Sequence, residues 1–292
     1  MAVADGRSWR VTAQHRLSRS QFESWFVNRP IGLVIMEACG SAHHWARWMN
    51  SLGIEVRLLT AAYIRPYVRR NQTDSTDACA LIEAARNAQI HPVRVKSLEQ
   101  QALQAMHRAR SLWMSTQTSR INALRDLRRE FGIAVPEGSR VGVACIARSL
   151  ADDASGIPVM LRATMMALLD EIKALEARIA QLESELAAAA RVNAACTQRL
   201  SIPGIGLLTA TAMVAATSGD VTHFQSARHF ASWFGLTPRE YSSGTKRSLG
   251  GISRRGDVYL RMLLTHGARA VLHAATIAIR RASRLIRSRR GP

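Results

Sequence analysis

Acidic residues are what this chain has too few of. Its 292 residues hold 21 Asp and Glu against 40 Lys and Arg, for a formal net charge of +19 and a pI near 11.4. That field disfavours cationic ligands and speeds the capture of polyanions; the competing reading is an adhesive or membrane-surface basic protein. Cysteine is sparse as well. Cys39, Cys79, Cys145 and Cys196 lie far apart with no CxxC pair. This excludes a zinc ribbon or a disulfide framework and points to reduced, mostly buried thiols in the cytoplasm. Long hydrophobic runs are missing: the most apolar stretch, Gly206 to Thr217, is about a dozen residues, too short to span a bilayer. The N-terminus is polar and has no signal-peptide core, so no membrane is expected. What is present is a hydrophobic content of 47%, enough for a real core, and a length that allows two domains or one domain with an extended element.

In the N-terminal third, Asp5-Gly6 is a tight-turn signal and Ser8 to Gln14 reads as a strand. Phe22, Trp25 and Phe26 recur at helical spacing after Ser20, a candidate N-cap. Ile31-Gly-Leu-Val-Ile-Met-Glu37 is a continuous apolar run, the pattern of a strand buried on both faces. Ser41 is placed to cap a helix to Leu52, Gly53 stops it, and Glu55 to Leu59 reads as the next strand. Alternating strands and helices predict an α/β sheet, whose ligands collect at the carboxyl ends of its strands. Glu37 stands at such an end, either as a ligand or as a plain loop acid. Asp74 and Asp77, three apart at the start of a predicted helix, share one face. They either complement the helix dipole or join Glu37 in a carboxylate set for Mg²⁺, which takes carboxylate and phosphate oxygens together. Arg69-Arg70 just before them suits a nucleic-acid backbone.

In the middle, Leu98 to Phe131 reads as a long helix carrying Arg108, Arg110, Arg120, Arg125, Arg128 and Arg129, as a solvated face or a groove-tracking one. Gly132 to Pro158 reads as a linker with weak helical content near Val143 to Leu150. Leu161, Met165, Leu168, Ile172, Leu175, Ile179, Leu182 and Leu186 then step by four and three in strict alternation. This heptad pattern predicts a coiled coil, self-associating in preference to a helical hairpin within the chain.

In the C-terminal third, Leu200-Ser-Ile-Pro-Gly204-Ile-Gly206-Leu-Leu-Thr-Ala210 has the form of a helix-hairpin-helix, whose second helix offers free N–H groups to a phosphate, or which serves in packing. Tyr241-Ser242-Ser243-Gly244 opens a glycine-punctuated loop that strings Lys246, Arg247, Arg254 and Arg255 up to Gly256. Adjacent hydroxyls and fixed positive charge serve to attack a phosphodiester or merely to hold one. From Gly244 to Pro292 there are 12 Lys and Arg and one acid, Asp257, so this end is the expected nucleic-acid face.

Over nearly its whole length the chain resembles the DEDD-type insertion-sequence transposases, which include the Piv-type DNA invertases and the bridge-RNA-guided recombinases. The segments that carry the resemblance are Met36 to His44, Asp74 to Asp77, Ile202 to Ala210, Gly235-Leu-Thr-Pro238 and Ser242-Ser-Gly followed by Gly250 to Gly256. The resemblance implies an α/β, RuvC-like (ribonuclease-H-like) domain over 1–135, ending in the basic helix. It also implies a linker and coiled coil over 136–195, and a mainly helical transposase domain over 196–292. It makes Glu37, Asp74 and Asp77 the second, third and fourth acids of a Mg²⁺ site and Ser243 the nucleophile, with Ser242 the alternative. Lys246, Arg247, Arg254, Arg255, Gly204 and Gly206 become nucleic-acid contacts. The implied activity is transesterification of DNA through a phosphoserine, with an element-encoded guide RNA choosing the sites. The implied setting is a nucleoid-associated homodimer joined by the coiled coil, or a tetramer, in which two chains complete each site.

The family's first acid lies on an opening strand with a Gly-(Ile/Val)-Asp pattern, and the sequence as given holds no such segment. That difference predicts a start codon assigned too late or a truncated element copy. The competing expectations are therefore an active RNA-guided recombinase and an inactive DNA- and RNA-binding remnant. A junction-resolving nuclease is a third, and it leaves the serine loop without a purpose.

Overall fold

The computed structural model describes the chain except residues 28, 69–72, 153, 218, 223 and 290–292; for 279–289 it describes the backbone alone. Arg69 and Arg70 lie outside the described residues. The chain divides into two compact units, Met1–Ser97 and Leu98–Pro292.

Unit 1 begins with an antiparallel hairpin of β1 (Ala2–Ala4) and β2 (Val11–Gln14). The Asp5 carboxylate accepts from the Ser8 N–H and hydroxyl at 2.7 and 2.8 Å, which closes the turn and draws its pKa down. Helix α1 (Arg19–Phe26) is capped by Ser18, not Ser20: the Ser18 hydroxyl accepts from Gln21 N–H while the Gln21 side chain returns to the Ser18 N–H. A parallel pair follows, β3 (Leu33–Glu37) and β4 (Glu55–Leu59), in register from Leu33 opposite Glu55 to Glu37 opposite Leu59. Helix α2 (Ala42–Ser51) connects them and buries Ala42, Ala46 and Met49. Gly53, at φ 79°, allows the sharp exit from α2. After a single turn α3 (Ala61–Ile64) and a 3₁₀ turn (Arg65–Tyr67), α4 (Asp74–Ala85) packs Ala80 and Ala84 on Leu59 and Ile64. Among its described residues unit 1 is thus α/β, with four strands in two separate two-stranded sheets.

Among its described residues, unit 2 is helical apart from one hairpin. Its helices are α5 (Leu98–Glu130), α6 (Ser139–Ala151), α7 (Val159–Arg191), α8 (Ala194–Leu200), α9 (Leu207–Thr217), α10 (Ala227–Trp233) and α11 (Val258–Arg289). The hairpin, β5 (Pro238–Glu240) and β6 (Leu249–Ile252), lies between α10 and α11. No described helix is long and apolar enough to cross a membrane.

Three expectations change here. The heptad stripe of α7 is filled from within the chain. Met165, Ile172, Leu175, Ile179, Leu182 and Leu186 are buried, and α5 runs antiparallel along them. Arg110 meets Glu183 at 2.7 Å, Gln117 meets Glu176 at 3.0 Å and Arg120 meets Glu171 at 2.6 Å, a register whose numbers fall on one helix as they rise on the other. Helix α6 closes one half of the stripe with Ile146 and Leu150; α8 and α9 close the other with Cys196 and Val214. A homodimer through this stripe would have to displace α5, because heptad spacing reports a buried face and not whose helix covers it. Next, the expected linker contains a 13-residue helix, α6, with Ile146 fully buried. Finally, the unit boundary falls after Ser97 and not near 135, since α5 packs on α7 and α9.

Candidate functional site

The acidic residues of unit 1 are placed by strand and helix ends. β3 delivers Glu37 at its carboxyl terminus, half-buried. Helix α4 is capped by Thr73, whose hydroxyl accepts from Thr76 N–H at 3.3 Å, so neither aspartate is needed as a cap. The α4 backbone then turns Asp77, half-buried, inward and leaves Asp74 exposed in the first turn. Glu37 and Asp77 line one cleft of about 170 Å³ together with Arg65, Ile64 and Leu81; Asp74 does not line it. Among the described residues no group of three or more His, Cys, Asp or Glu is close enough to hold a metal ion. Two carboxylates on one cleft suffice for an ion that also takes water and substrate phosphate, the usual habit of Mg²⁺. Glu37 and Asp77 share this cleft, and Asp74 does not join them there.

The serine loop of unit 2 is a β-hairpin. Ser243 and Lys246 exchange backbone hydrogen bonds at 3.1 Å each way, and Tyr241 N–H donates to Ser248 O at 2.8 Å. Gly244, at φ 57°, takes the first central position of this two-residue turn, the place where a II′ turn needs glycine. The two hydroxyls then differ. Ser242 donates to Glu240 Oε1 at 2.7 Å and accepts from Ser248 N–H at 3.1 Å, tying one strand to the other. Ser243 stands exposed beside the turn, and its hydroxyl bonds to no described residue. Lys246, Arg254 and Arg255 are exposed and free of ion pairs with described residues; Arg247 reaches Glu240 only at 3.9 Å. The Tyr241 ring covers Gly250, where a Cβ would meet it at 2.9 Å.

The base of the hairpin is fixed by close backbone crossing. Gly235, at φ 70°, faces the Arg255 carbonyl, and Gly256, at φ 95°, faces the Trp233 carbonyl; a Cβ at either position would overlap that oxygen. Arg254 N–H donates to Gly235 O at 3.1 Å, and the Arg261 guanidinium donates to Phe234 O at 3.0 Å. Thus Gly235-Leu-Thr-Pro238 and Gly250 to Gly256, separate in sequence, form one device that presents Ser243.

The helical hairpin α8–α9 treats its two glycines differently. Gly204, at φ 85°, is crossed by α11 at Gly267 so closely that a Cβ on Gly267 would overlap the Gly204 carbonyl. Its backbone is therefore packed against α11. Gly206 is exposed, has open space and precedes the first turn of α9, where backbone N–H groups lack intrahelical partners.

Sequence reading missed a buried polar junction. His107 of α5 reaches Thr211 Oγ1 of α9 at 3.0 Å and Tyr259 Oη of α11 at 3.1 Å. Burial, and then the charge of Arg110, lowers its pKa to about 4, so the ring is neutral at pH 7. Burial likewise raises the Tyr259 phenol. The partners are 104 and 152 residues from His107, so no local pattern announces them.

Residues 196–283 match the family model "Transposase IS116/IS110/IS902 family". Over 263 residues the chain is 44% identical to a "Probable family 20 transposase" of Pseudomonas aeruginosa, an alignment that covers 90% of this chain and 78% of that protein. It is 38% identical to the "Transposase for insertion sequence element IS1111A" of Coxiella burnetii, covering 90% and 72%. To the "Transposase for insertion sequence element IS1328" of Yersinia enterocolitica it is 34% identical, covering 88% and 76%.

Proposed function

Because this chain belongs to the IS116/IS110/IS902 family of insertion-sequence transposases, we propose that it cuts and rejoins DNA by serine transesterification with Ser243 as the nucleophile. The observation that carries this reading is the contrast between the paired hydroxyls. Ser243 is exposed and unengaged beside a fixed turn, while Ser242 is committed to a strand-to-strand bond. In the reaction Ser243 Oγ bonds to the scissile phosphorus, the ester bond to one neighbouring sugar oxygen breaks, and the serine proton leaves to a base. The phosphoserine keeps the energy of the broken ester for rejoining. A serine hydroxyl needs activation to attack. Lys246, Arg254 and Arg255 supply fixed positive charge on the hairpin for the phosphate oxygens.

Glu37 and Asp77 would hold Mg²⁺ in unit 1, a domain we read as RuvC-like, with Asp74 outside the ligand set. The ion, when bound, would polarise a phosphate oxygen as a Lewis acid. An element-encoded RNA as the selector of DNA sites belongs to the same proposal, and the charge of +19 supports a polyanionic partner.

A second reading has its own observation. Ser242 donates to Glu240 at 2.7 Å, the geometry of a hydroxyl beside a general base. The test is covalent capture. Purified protein is incubated with duplex DNA carrying the element ends and the guide RNA, and the mixture is run on a denaturing gel. We expect a protein–DNA adduct from the parent and from Ser242→Ala, and none from Ser243→Ala. An adduct that survives Ser243→Ala and disappears in Ser242→Ala moves the nucleophile by one residue. An adduct formed by both variants removes serine chemistry from this hairpin.

A further inference from the structure

Unit 1 carries a half-buried aromatic cluster beside its core, in which Phe22, Trp25 and Trp48 pack against Phe26, Met49 and Ile54. The chain holds 6 Phe, 6 Trp and 4 Tyr, 16 in all, and five of them meet where α1 faces α2. Phe22, Trp25, Phe26, Trp45 and Trp48 pack edge to face at 4.9 to 6.0 Å. Phe26 is buried; the other four keep part of their surface in solvent. Their inner edges rest on the core and their outer edges reach solvent. The Arg29 guanidinium lies 4.5 Å from the Trp25 ring centre, so one face of that indole already accepts a planar group. His15 lies 5.5 Å from Trp25, and His44 lies 5.2 Å from Trp45. Arg16 and Arg19, at the entry to α1, are exposed and form no ion pair with described residues.

We propose that this surface binds unpaired nucleotides, with bases stacked on Trp25 and its aromatic neighbours and phosphates held by Arg16, Arg19 and Arg29. The chemistry selects single strands. In a duplex the base faces are stacked on one another and cannot reach an aromatic ring, whereas an unpaired base of any identity offers a π-face. Arginines in place of lysines fit the same ligand, because a guanidinium both stacks and bonds phosphate through two donors. The site thereby adds to the proposed recombinase a place for an unpaired strand, and it rests on the nucleic-acid reading of the chain.

The test uses the full chain and three fluorescent probes at one salt concentration: a 12-nucleotide oligo-U, a 12-nucleotide oligo-dT and a mixed-sequence 12-base-pair DNA duplex. Anisotropy should show Trp25→Leu weakening both single strands by about tenfold, the scale of one lost base–aromatic stack. Duplex affinity should stay within about twofold. Arg29→Gln and Arg19→Gln, at exposed positions outside the core, should each flatten the salt dependence of single-strand binding by nearly one counterion. These two variants keep the test decisive if Trp25→Leu does not fold. A ratio favouring oligo-U names RNA as the strand, and one favouring oligo-dT names DNA. Equal losses on duplex and single strand, or unchanged single-strand binding in all three variants, would overturn the site. If the parent forms its covalent adduct while these variants bind normally, the aromatic site alone is wrong. Single-strand binding lost as expected in a chain that forms no adduct leaves the site standing and removes the serine reading.

Discussion

Glu37 and Asp77 are presented by elements with a core behind them, whereas Ser243 is presented by a hairpin in which every residue from 241 to 250 is exposed. In unit 1 the apolar neighbours Leu59, Ile64, Ala80 and Ala84 set where β3 ends and how α4 begins, and the carboxylates follow. In unit 2 the hairpin has no apolar face to bury. Its place is set where Gly235 and Gly256 let backbone meet backbone, and by the Arg261 bond to Phe234 O. Burial tolerates small errors, since side chains repack at modest cost. A crossing of two backbones does not, because neither carbonyl can move without its strand.

The strongest way to break the comparison is therefore at that crossing. Gly235→Ala places a Cβ on the Arg255 carbonyl and also forces alanine to φ 70°. We expect a local loss of about 3–5 kcal/mol, in the range reserved for backbone conflict and overpacking. Amide exchange at Tyr241, Ser243 and Lys246 should accelerate while the amides of β3 and β4 keep their protection. If the hairpin amides stay protected in Gly235→Ala, the base is not what fixes the serine.

An intermediate effect is expected from the helices that carry the hairpin. His107 titrates at about 4 when folded and near 6.5 when unfolded. Between those values the unfolded chain binds a proton that the folded chain refuses, so stability rises with pH across the window. The contribution is complete above pH 6.5 and is lost progressively as pH falls to 4, about 3 kcal/mol in total. Urea unfolding of unit 2 at pH 7 and at pH 4.5 reads it. His107→Gln should reduce the difference between the two pH values, and an unchanged difference would assign the acid sensitivity to other groups. Unit 1 has no comparably buried histidine among its described residues, so its midpoint should respond less.

These differences also decide what could be read from the sequence. β3, β4, α5 and the start of α4 were legible because apolar period and capping residues are local signals. The places of Glu37, at the end of β3, and of Asp74 and Asp77, in the first turn of α4, followed from the same signals. The β5–β6 hairpin was not: with all its residues exposed it has no alternation, and Gly250 and Gly251 weaken the strand signal further. The stripe on α7 was legible as a buried face, but its cover by α5 within the chain was not, since the bonded partners lie 51 to 73 residues away and leave no mark on the spacing. The three-way contact of His107, Thr211 and Tyr259 joins three helices at points where each residue looks ordinary in its own segment.

The smallest predicted effect sharpens the acidic side, because it separates two aspartates that share one helical turn. Asp74 is exposed in the first turn of α4 and does not line the cleft, so its charge acts only on the helix dipole. Asp74→Asn should lower the melting temperature by about 1–3 °C and leave adduct formation intact. Asp77→Asn should do the reverse, with little change in melting and a loss of adduct, since Asp77 lines with Glu37 the cleft that we assign to phosphate chemistry. If Asp74→Asn abolishes the adduct as completely as Asp77→Asn, both acids act on the DNA. The α4 turn would then have to rotate when substrate binds, and the division of labour between a dipole acid and a cleft acid would fall.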